Sequence, residues 1–397
     1  MRGHIVFVMV GVVAMFAVSP GVTSGQPTEI YLALDNDTLQ RVIYDGLNTY
    51  TPAGSIAVPD IAEVQLFDTG GGNLNIFTRT VGANNNTLSE YSRSGSTLSQ
   101  ERSLDLGDSF AHDLDVQSNG QLTAFIVDAA NPPGSRLHDY DKTVGSFTDD
   151  TVYGGYGSDI RGKFGIAPVG DFMYVVDESF DLLQIFEPDV IPTFSNRQNH
   201  NEPDIPDVAG MPGTSFGTLA GFGIDGPPDW RIRVYDTSAP TPQIQAESDI
   251  DAQIATQRSV VDLDHFSNGF IVATTVDTSG VGRLEAHVAN LSSQGGNGAI
   301  DFKGLIEPAN GGPNGSSHLT VDANNVVHVL DSAGNLNAYR PTFHADNVVT
   351  FGHVAIMNFG TGVSLDAFTV PEPSSLLLFG LASSLVGVVS RRTRRQA

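Results

Sequence analysis

A Leu or Ile followed three residues later by an aromatic residue or His recurs along this chain. The instances are Leu88…Tyr91, Leu137…Tyr140, Leu183…Phe186, Ile232…Tyr235, Leu284…His287 and Leu336…Tyr339, with Leu39…Val42 as a weaker first copy. Successive copies stand 46 to 52 residues apart. A steady period of this length means one supersecondary unit used repeatedly, which excludes most folds at once. Each copy follows an apolar stretch that usually closes on Asp: Ile30 to Asp35, Leu122 to Asp128, Phe172 to Asp177, Leu219 to Asp225, Phe270 to Asp277 and Val326 to Asp331. In the second copy Leu74 to Phe77 runs into Thr78 without the acid. Tight turns, Asn119-Gly120, Gly170-Asp171, Asn268-Gly269 and Asn324-Asn325, precede several of these stretches, and Asn and Gly tolerate the positive φ that short hairpins need. Before the turns lie further strands, as in Leu114-Asp115-Val116, Leu263-Asp264 and Leu319-Thr320-Val321-Asp322. The unit reads strand, hairpin, strand, loop, strand, and helical periodicity is almost absent.

Repeats of this size built from antiparallel strands are the signature of β-propeller blades. The expected fold is all-β: a seven-bladed β-propeller, its strands apolar on both faces because each blade is sandwiched between two others. One internal pair supports the alignment in detail. Phe125-Ile126-Val127-Asp128, Pro132-Pro133, Arg136-Leu137 and Tyr140-Asp141 match Phe222-Gly223-Ile224-Asp225, Pro227-Pro228, Arg231-Ile232 and Tyr235-Asp236, with two residues deleted. The first copy lacks the strands that should precede it, whereas Val348 to Phe351 and Val363 to Phe368 are left over after the last. Ser364-Leu365-Asp366-Ala367 echoes the Leu-Asp strand, so the C-terminal strands are expected to complete the first blade and close the ring, which removes two open sheet edges. Two insertions break the rhythm, Pro188 to Pro212 and Ser238 to Ala255, which read as face loops or disordered stretches, and the Gly- and Asn-rich Gly295 to Gly315 reads as a flexible loop. The text of Val321 to Asp331 and of Met173 to Asp177 is loosely similar to NHL-type propellers.

The two ends differ from this body. Arg2 and His4 precede an apolar run from Ile5 to Val18, then Pro20-Gly21 and the small residues Thr23, Ser24 and Gly25, which reads as a signal peptide with its apolar helix over residues 1–25. The body spans 26–369. At the other end come Val370, Pro371, Glu372 and Pro373, two serines, an apolar run from Leu376 to Val389, and Arg391, Arg392, Arg394 and Arg395. The uncharged stretch Ser374 to Ser390 would extend about 25 Å as a helix, the lower limit for a transmembrane helix. The arginines form a membrane stop that resists translocation. Residues 370–397 resemble the PEP-CTERM sorting signal of exported bacterial proteins. The resemblance implies an exosortase as partner, cutting near Pro371-Glu372-Pro373, and release or transfer of the body to the cell surface or the exterior.

The chain has no cysteine, so neither disulfides nor thiolate metal sites contribute and stability must come from the core. Its net charge is −25, and setting aside the arginines of the two terminal segments leaves about −30. A surface of that sign repels nucleic acid, which excludes nucleic-acid partners. With ten histidines and abundant Asp, the chemistries left are His/carboxylate metal binding and acid–base work. His112 and His318 fall just before inner strands of their copies, as Arg161 and Arg258 do in theirs. There they are candidates for a ligand site at one mouth of a central channel, for an anion, a sugar, or a metal shared with Asp115 or Asp322. No cofactor motif is identified; Ca²⁺ is the one cofactor considered, through Asp35-Asn36-Asp37 or Asp249-Ile250-Asp251. The recurring Asp at strand ends reads as turn capping. No Gly-Lys phosphate loop, Gly-x-Ser-x-Gly elbow or His-Glu-x-x-His pair is present. The expected role is a surface or extracellular-matrix binding or scaffold module. The alternative is a propeller lyase or hydrolase acting on extracellular polysaccharide.

Overall fold

The computed structural model describes residues 26–70, 73–83, 85–116, 122–128, 134–144, 146–156, 164–169, 172–177, 182–186, 200–201, 207–210, 216–222, 230–236, 243–249, 258–290 and 298–369. Among these the regular structure is all strand, apart from one 3-10 turn, Pro308–Asn310. The strands run in chain order as β1 (Thr28–Leu34), β2 (Thr38–Tyr44) and β3 (Tyr50–Ala57); then β4 (Ile61–Gly70), β5 (Asn73–Thr80), β6 (Thr87–Ser94) and β7 (Thr97–Asp105). Next come β8 (Phe110–Val116), β9 (Leu122–Asp128), β10 (Gly134–Val144) and β11 (Ser146–Tyr156), followed by β12 (Phe164–Val169), β13 (Phe172–Asp177), β14 (Leu182–Phe186) and β15 (His200–Asn201). The second half holds β16 (Asp207–Gly210), β17 (Phe216–Phe222), β18 (Trp230–Asp236) and β19 (Gln243–Asp249), then β20 (Arg258–His265), β21 (Ile271–Asp277), β22 (Gly282–Asn290) and β23 (Gly298–Ile306). The last are β24 (Ser317–Val321), β25 (Val327–Asp331), β26 (Asn335–Phe343), β27 (Val349–Asn358) and β28 (Gly362–Thr369).

Each group of four is an antiparallel sheet built hairpin by hairpin. The groups β16–β19 and β20–β23 are joined at their outer strands by a short parallel contact, Ala246 beside Gly298 and Glu247 beside Ala299. β28 takes the free edge of β1, with Thr369 opposite Thr28 and Leu365 opposite Leu32, so the first sheet has the order β28-β1-β2-β3. The inner strand of each sheet lies against that of the next, β28 on β4, β4 on β8, and so on to β24, which lies against β28. The body is a β-propeller, as the repeat predicts.

The predicted apolar strands sit where both faces are covered. All seven residues of β1 are buried. Its alternate side chains point to opposite sides: Ile30, Leu32 and Leu34 pack with Val326, Leu330 and Leu336 of the sheet before it, while Tyr31 and Ala33 pack with Val64, Leu74 and Ile76 of the sheet after it. Burying each such side chain contributes about 1.5–3 kcal/mol, the stabilisation that a chain without disulfides needs. The Leu…aromatic ruler marks the third strand of each sheet, and Tyr91, Tyr140 and Tyr339 are buried there. The predicted turns behave as their residues require: Gly269 has φ 83° and Asn325 φ 59°. Asn119-Gly120 and Gly170-Asp171 lie outside the described residues.

Three readings are corrected. The unit has four strands, the fourth being an outer, half-exposed strand such as β3 or β7 whose polar sequence hides it. Consequently only β28 completes the first sheet, and β27, which covers the leftover Val348 to Phe351, belongs to the last. The segments read as loops also carry strands: β15 and β16 within Pro188 to Pro212, β19 within Ser238 to Ala255, and β23 within Gly295 to Gly315, where Ile300 and Ile306 are buried despite the surrounding Gly and Asn. The apolar runs of residues 1–25 and 370–397 lie outside the described residues; among the described ones no helix is long and apolar enough to cross a membrane.

Antiparallel pairing sorts the connections onto two faces. Turns between first and second strands and between third and fourth share one face with Thr369, called here the exit face. Asn325 accepts from Ser267 N–H (2.7 Å) and Thr369 Oγ1 accepts from Ala323 N–H (3.0 Å), which ties three neighbouring sheets together on that side. The second-to-third turns and the links between sheets form the opposite face.

Candidate functional site on the inner strands

An inner strand has a paired neighbour on one side only, so its N–H groups on the other side need acceptors. The chain supplies them with carboxylates. Asp262 and Asp264 on β20 accept from Leu319 N–H (2.9 Å) and Val321 N–H (2.8 Å) of β24. In the same way Asp366 on β28 accepts from Leu66 N–H of β4 at 2.8 Å, beside a Val64 N–H to Ser364 Oγ contact of 3.3 Å. The second oxygen of these aspartates takes the N–H of the following residue: Asp264 from His265 at 2.6 Å, Asp366 from Ala367 at 2.7 Å, and Asp115 from Val116 at 2.6 Å. The Leu263-Asp264 and Leu365-Asp366 pairs are therefore stitches between adjacent sheets. The same position in β24 is Thr320, whose hydroxyl reaches Asp366 at 3.4 Å.

These carboxylates crowd the innermost layer, and their acidity shows it. Loss of water on burial pushes Asp264 up to about 7 against the bonds from His265 and Val321, with the charges of Asp262 and Asp366 adding. Burial likewise pushes Asp366 up to about 6, with Glu63 contributing, and holds Asp115 well above the usual carboxylate range, with Glu63 and Asp366 contributing. His265 next to them is pushed down to about 4 by burial alone.

The four residues singled out in the sequence meet different fates. His318 stands on β24, its Nδ1 3.6 Å from Asp262 and its side chain half-exposed. His112 sits in β8 at a register shift between Ala111 and Asp113, a β-bulge. Arg161 lies outside the described residues. Arg258, the first residue of β20, is sequestered: its guanidinium bonds Glu285 on β22 at 2.5 and 2.9 Å, and both side chains are 0% exposed. Thr275 on β21 adds a 2.7 Å bond to the same carboxylate, and His287 Nε2 lies 3.3 Å from it. Burial works against the charge of Glu285, yet its neighbours His287 and Arg258 hold it at about 2.

Asp322, read as a partner for His318, is drawn into the seam between the first and last sheets instead. It accepts from Thr28 Oγ1 (2.6 Å), from Asn324 and Val326 N–H, and lies 3.3 Å from His328 Nε2, whose other ring nitrogen is 2.9 Å from Tyr50 Oη. Asp277 and Asp331 cap turns as expected, taking N–H groups two and four residues on. Asp37 accepts from Asp60 N–H at 2.8 Å, and Asp251 of the second calcium candidate is outside the described residues. Among the described residues no group of three or more His, Asp or Glu side chains is placed to hold a metal. The stitch role of Asp264 and Asp366 was signalled by Leu-Asp pairs in equivalent positions, but the N–H donors they bond lie in the next repeat and are not adjacent in sequence.

Residues 369–395 match the PEP-CTERM protein-sorting motif. Comparison with curated proteins finds no match. Among solved structures the chain is similar to a putative 6-phosphogluconolactonase from Bacteroides uniformis, with 14% identity and a TM-score of 0.62 over 86% of this chain and 99% of that one. A putative 6-phosphogluconolactonase from Bacteroides fragilis is similar at 11% identity and a TM-score of 0.60, covering 88% and 99%. Apo AztD from Citrobacter koseri follows at 12% identity and 0.51, covering 86% and 98%. At such identities the likeness carries the fold and no activity. The chain is a β-propeller body that leads directly into a PEP-CTERM sorting motif, and that motif implies an exported protein sorted by an exosortase to the cell surface or exterior.

Proposed function

We propose that this protein is a binding or scaffold module of the bacterial surface or extracellular matrix, built as a seven-bladed ring that β28 closes and displayed after exosortase processing. The observation that carries the reading is the junction: β28 is seated on β1 through Thr369, and the sorting motif starts at that residue. Cleavage within Val370 to Pro373 would leave every strand of the ring in place. The inner-strand contacts that run from β28 through β24 and back to β28 support the blade number. The surface charge suits a soluble display module in a saline exterior. Mass spectrometry of the exported protein tests the address: a C-terminus within 370–373 is expected, and an intact Arg395 end would refute processing. A glycan array on residues 26–369, with and without Ca²⁺, tests the binding role, extracellular polysaccharide being the first ligand class to try. A lyase or hydrolase reading keeps one supporting feature, the half-exposed His318 beside Asp262. Polysaccharide turnover lost in His318→Ala with the fold intact would favour it.

A further inference from the structure

We propose that the exit face is the face held toward the bilayer while the chain is anchored, and that the opposite face is the one presented outward. The proposal rests on the reading that the apolar run Leu376 to Val389 enters the membrane. Its basis is how firmly, and where, the end of the body is held. Thr369 lies opposite Thr28 on β1, and its hydroxyl accepts from Ala323 N–H at 3.0 Å. The other end of the body is fixed at the same spot, where Asn324 Nδ2 donates to the Gln26 carbonyl at 3.1 Å and Thr28 Oγ1 donates to Asp322 at 2.6 Å. The chain therefore leaves the innermost strand on the exit face and has no slack before Val370.

Chain length then decides the orientation. Val370 to Ser375 is six residues, which reach at most about 20 Å when fully extended. For the opposite face to meet the bilayer, the tether would first have to cross the exit face from β28 past β3. That is three strand spacings of about 4.8 Å plus the outer side chains. It would then have to descend the height of the sheet, about 26 Å for the eight residues of β28. The path is roughly 40 Å, twice the available reach, and Pro371 and Pro373 restrict the tether further. The exit face, with the turns around Asn48, Ser267 and Asn324, stays within one short tether of the headgroups. The turns around Asn36 and Ser279 and the link around Asn310 face away, and any ligand reaching the protein from outside meets these first.

The absence of cysteine makes this directly measurable. Single variants Ser267→Cys on the exit face, and Asn36→Cys and Ser279→Cys on the opposite face, are labelled with a fluorescent donor in the full chain. The chains are then reconstituted into vesicles carrying an acceptor on the lipid headgroup. Transfer from position 267 is expected to exceed that from 36 and 279 by about twofold or more, since the two faces stand about 26 Å apart. Insertion of about 20 Gly/Ser residues between Thr369 and Val370 is expected to abolish the difference, because a flexible linker of that length clears the rim. Chains that float with the vesicles but give equal or reversed transfer overturn the orientation alone. Chains that fail to float overturn the membrane-crossing reading and the orientation with it.

Discussion

Arg258 offers the sharpest test of whether a basic residue at the start of an inner strand serves ligand binding or the core. In Arg258→Met the Glu285 carboxylate stays fully buried and loses two bonds, of 2.5 and 2.9 Å, from a guanidinium. Thr275 remains as one neutral donor, and His287 sits 3.3 Å away. Charge-assisted bonds contribute about 1.5–3 kcal/mol each, so the loss is about 3–6 kcal/mol, which overlaps the usual cost of about 3–5 kcal/mol for breaking a buried ion pair from one side. In Arg258→Met/Glu285→Met no charge is left behind, and the variant should recover most of that loss, because an apolar pair of similar volume is often neutral or better. Urea denaturation followed by circular dichroism, with the wild type, both single variants and the double variant, gives the cycle. A single-variant cost below about 1 kcal/mol, or a double variant no better than the worse single one, would refute the assignment of Arg258 to the core.

The inner-strand aspartates predict an unusual pH profile. Asp264 and Asp366 bind protons more tightly folded than unfolded, with folded values of about 7 and 6, so their contribution is fully present below the ordinary carboxylate value and is lost as pH rises through 6 to 7. His265, pushed down to about 4, works in the opposite sense between pH 6.5 and 4, which leaves a net gain on mild acidification. The melting temperature at pH 5.5 should exceed that at 7.5, and Asp264→Asn/Asp366→Asn should abolish or reverse the difference, since His265 then acts alone; a wild-type profile that falls steadily below pH 7 would contradict this. Ending the body at Thr361 removes β28, strips the inner edge from β1 and takes Leu365 from its core, so size-exclusion chromatography should show aggregation or an expanded species rather than a compact monomer. Gly304 on β23 lies so near β27 that a Cβ would stand 1.9 Å from the Val349 carbonyl. Gly304→Ala should therefore cost about 1–3 kcal/mol through displacement of the two strands, read by thermal unfolding.

The period of the fold was legible because sandwiched strands must be apolar on both faces, and that requirement writes itself into described strands such as Ile30 to Leu34 and Ile271 to Ala273. Outer strands carry no such requirement. β7, with Gln100, Glu101 and Arg102 in its middle, is half solvated and reads as polar loop, which is why the fourth strand went unseen. β23 was hidden for a second reason, since Gly304 within it marks close approach to β27. The candidate site was legible in residue type but not in partner. Both Arg258 and His318 open inner strands, yet Glu285 sits 27 residues away on the third strand and captures the arginine, while the aspartate beside His318 lies in the preceding repeat. Sequence spacing places a residue on a strand; which neighbour claims its side chain depends on cross-strand and cross-sheet register, set by long-range packing.

The seat of β28 on β1 also sets the order in which the molecule can mature. Thr28 meets Asp322 across 294 residues and Leu66 meets Asp366 across 300, so closing that circuit costs about 5 kcal/mol of loop entropy before any contact forms. Contacts of such separation form slowly. During synthesis β1, β2 and β3 exist long before their inner neighbour, and until it arrives β1 offers a long, apolar, unpaired edge to any passing strand. The hazardous interval in folding is therefore the wait for the last eight residues of the body, Gly362–Thr369.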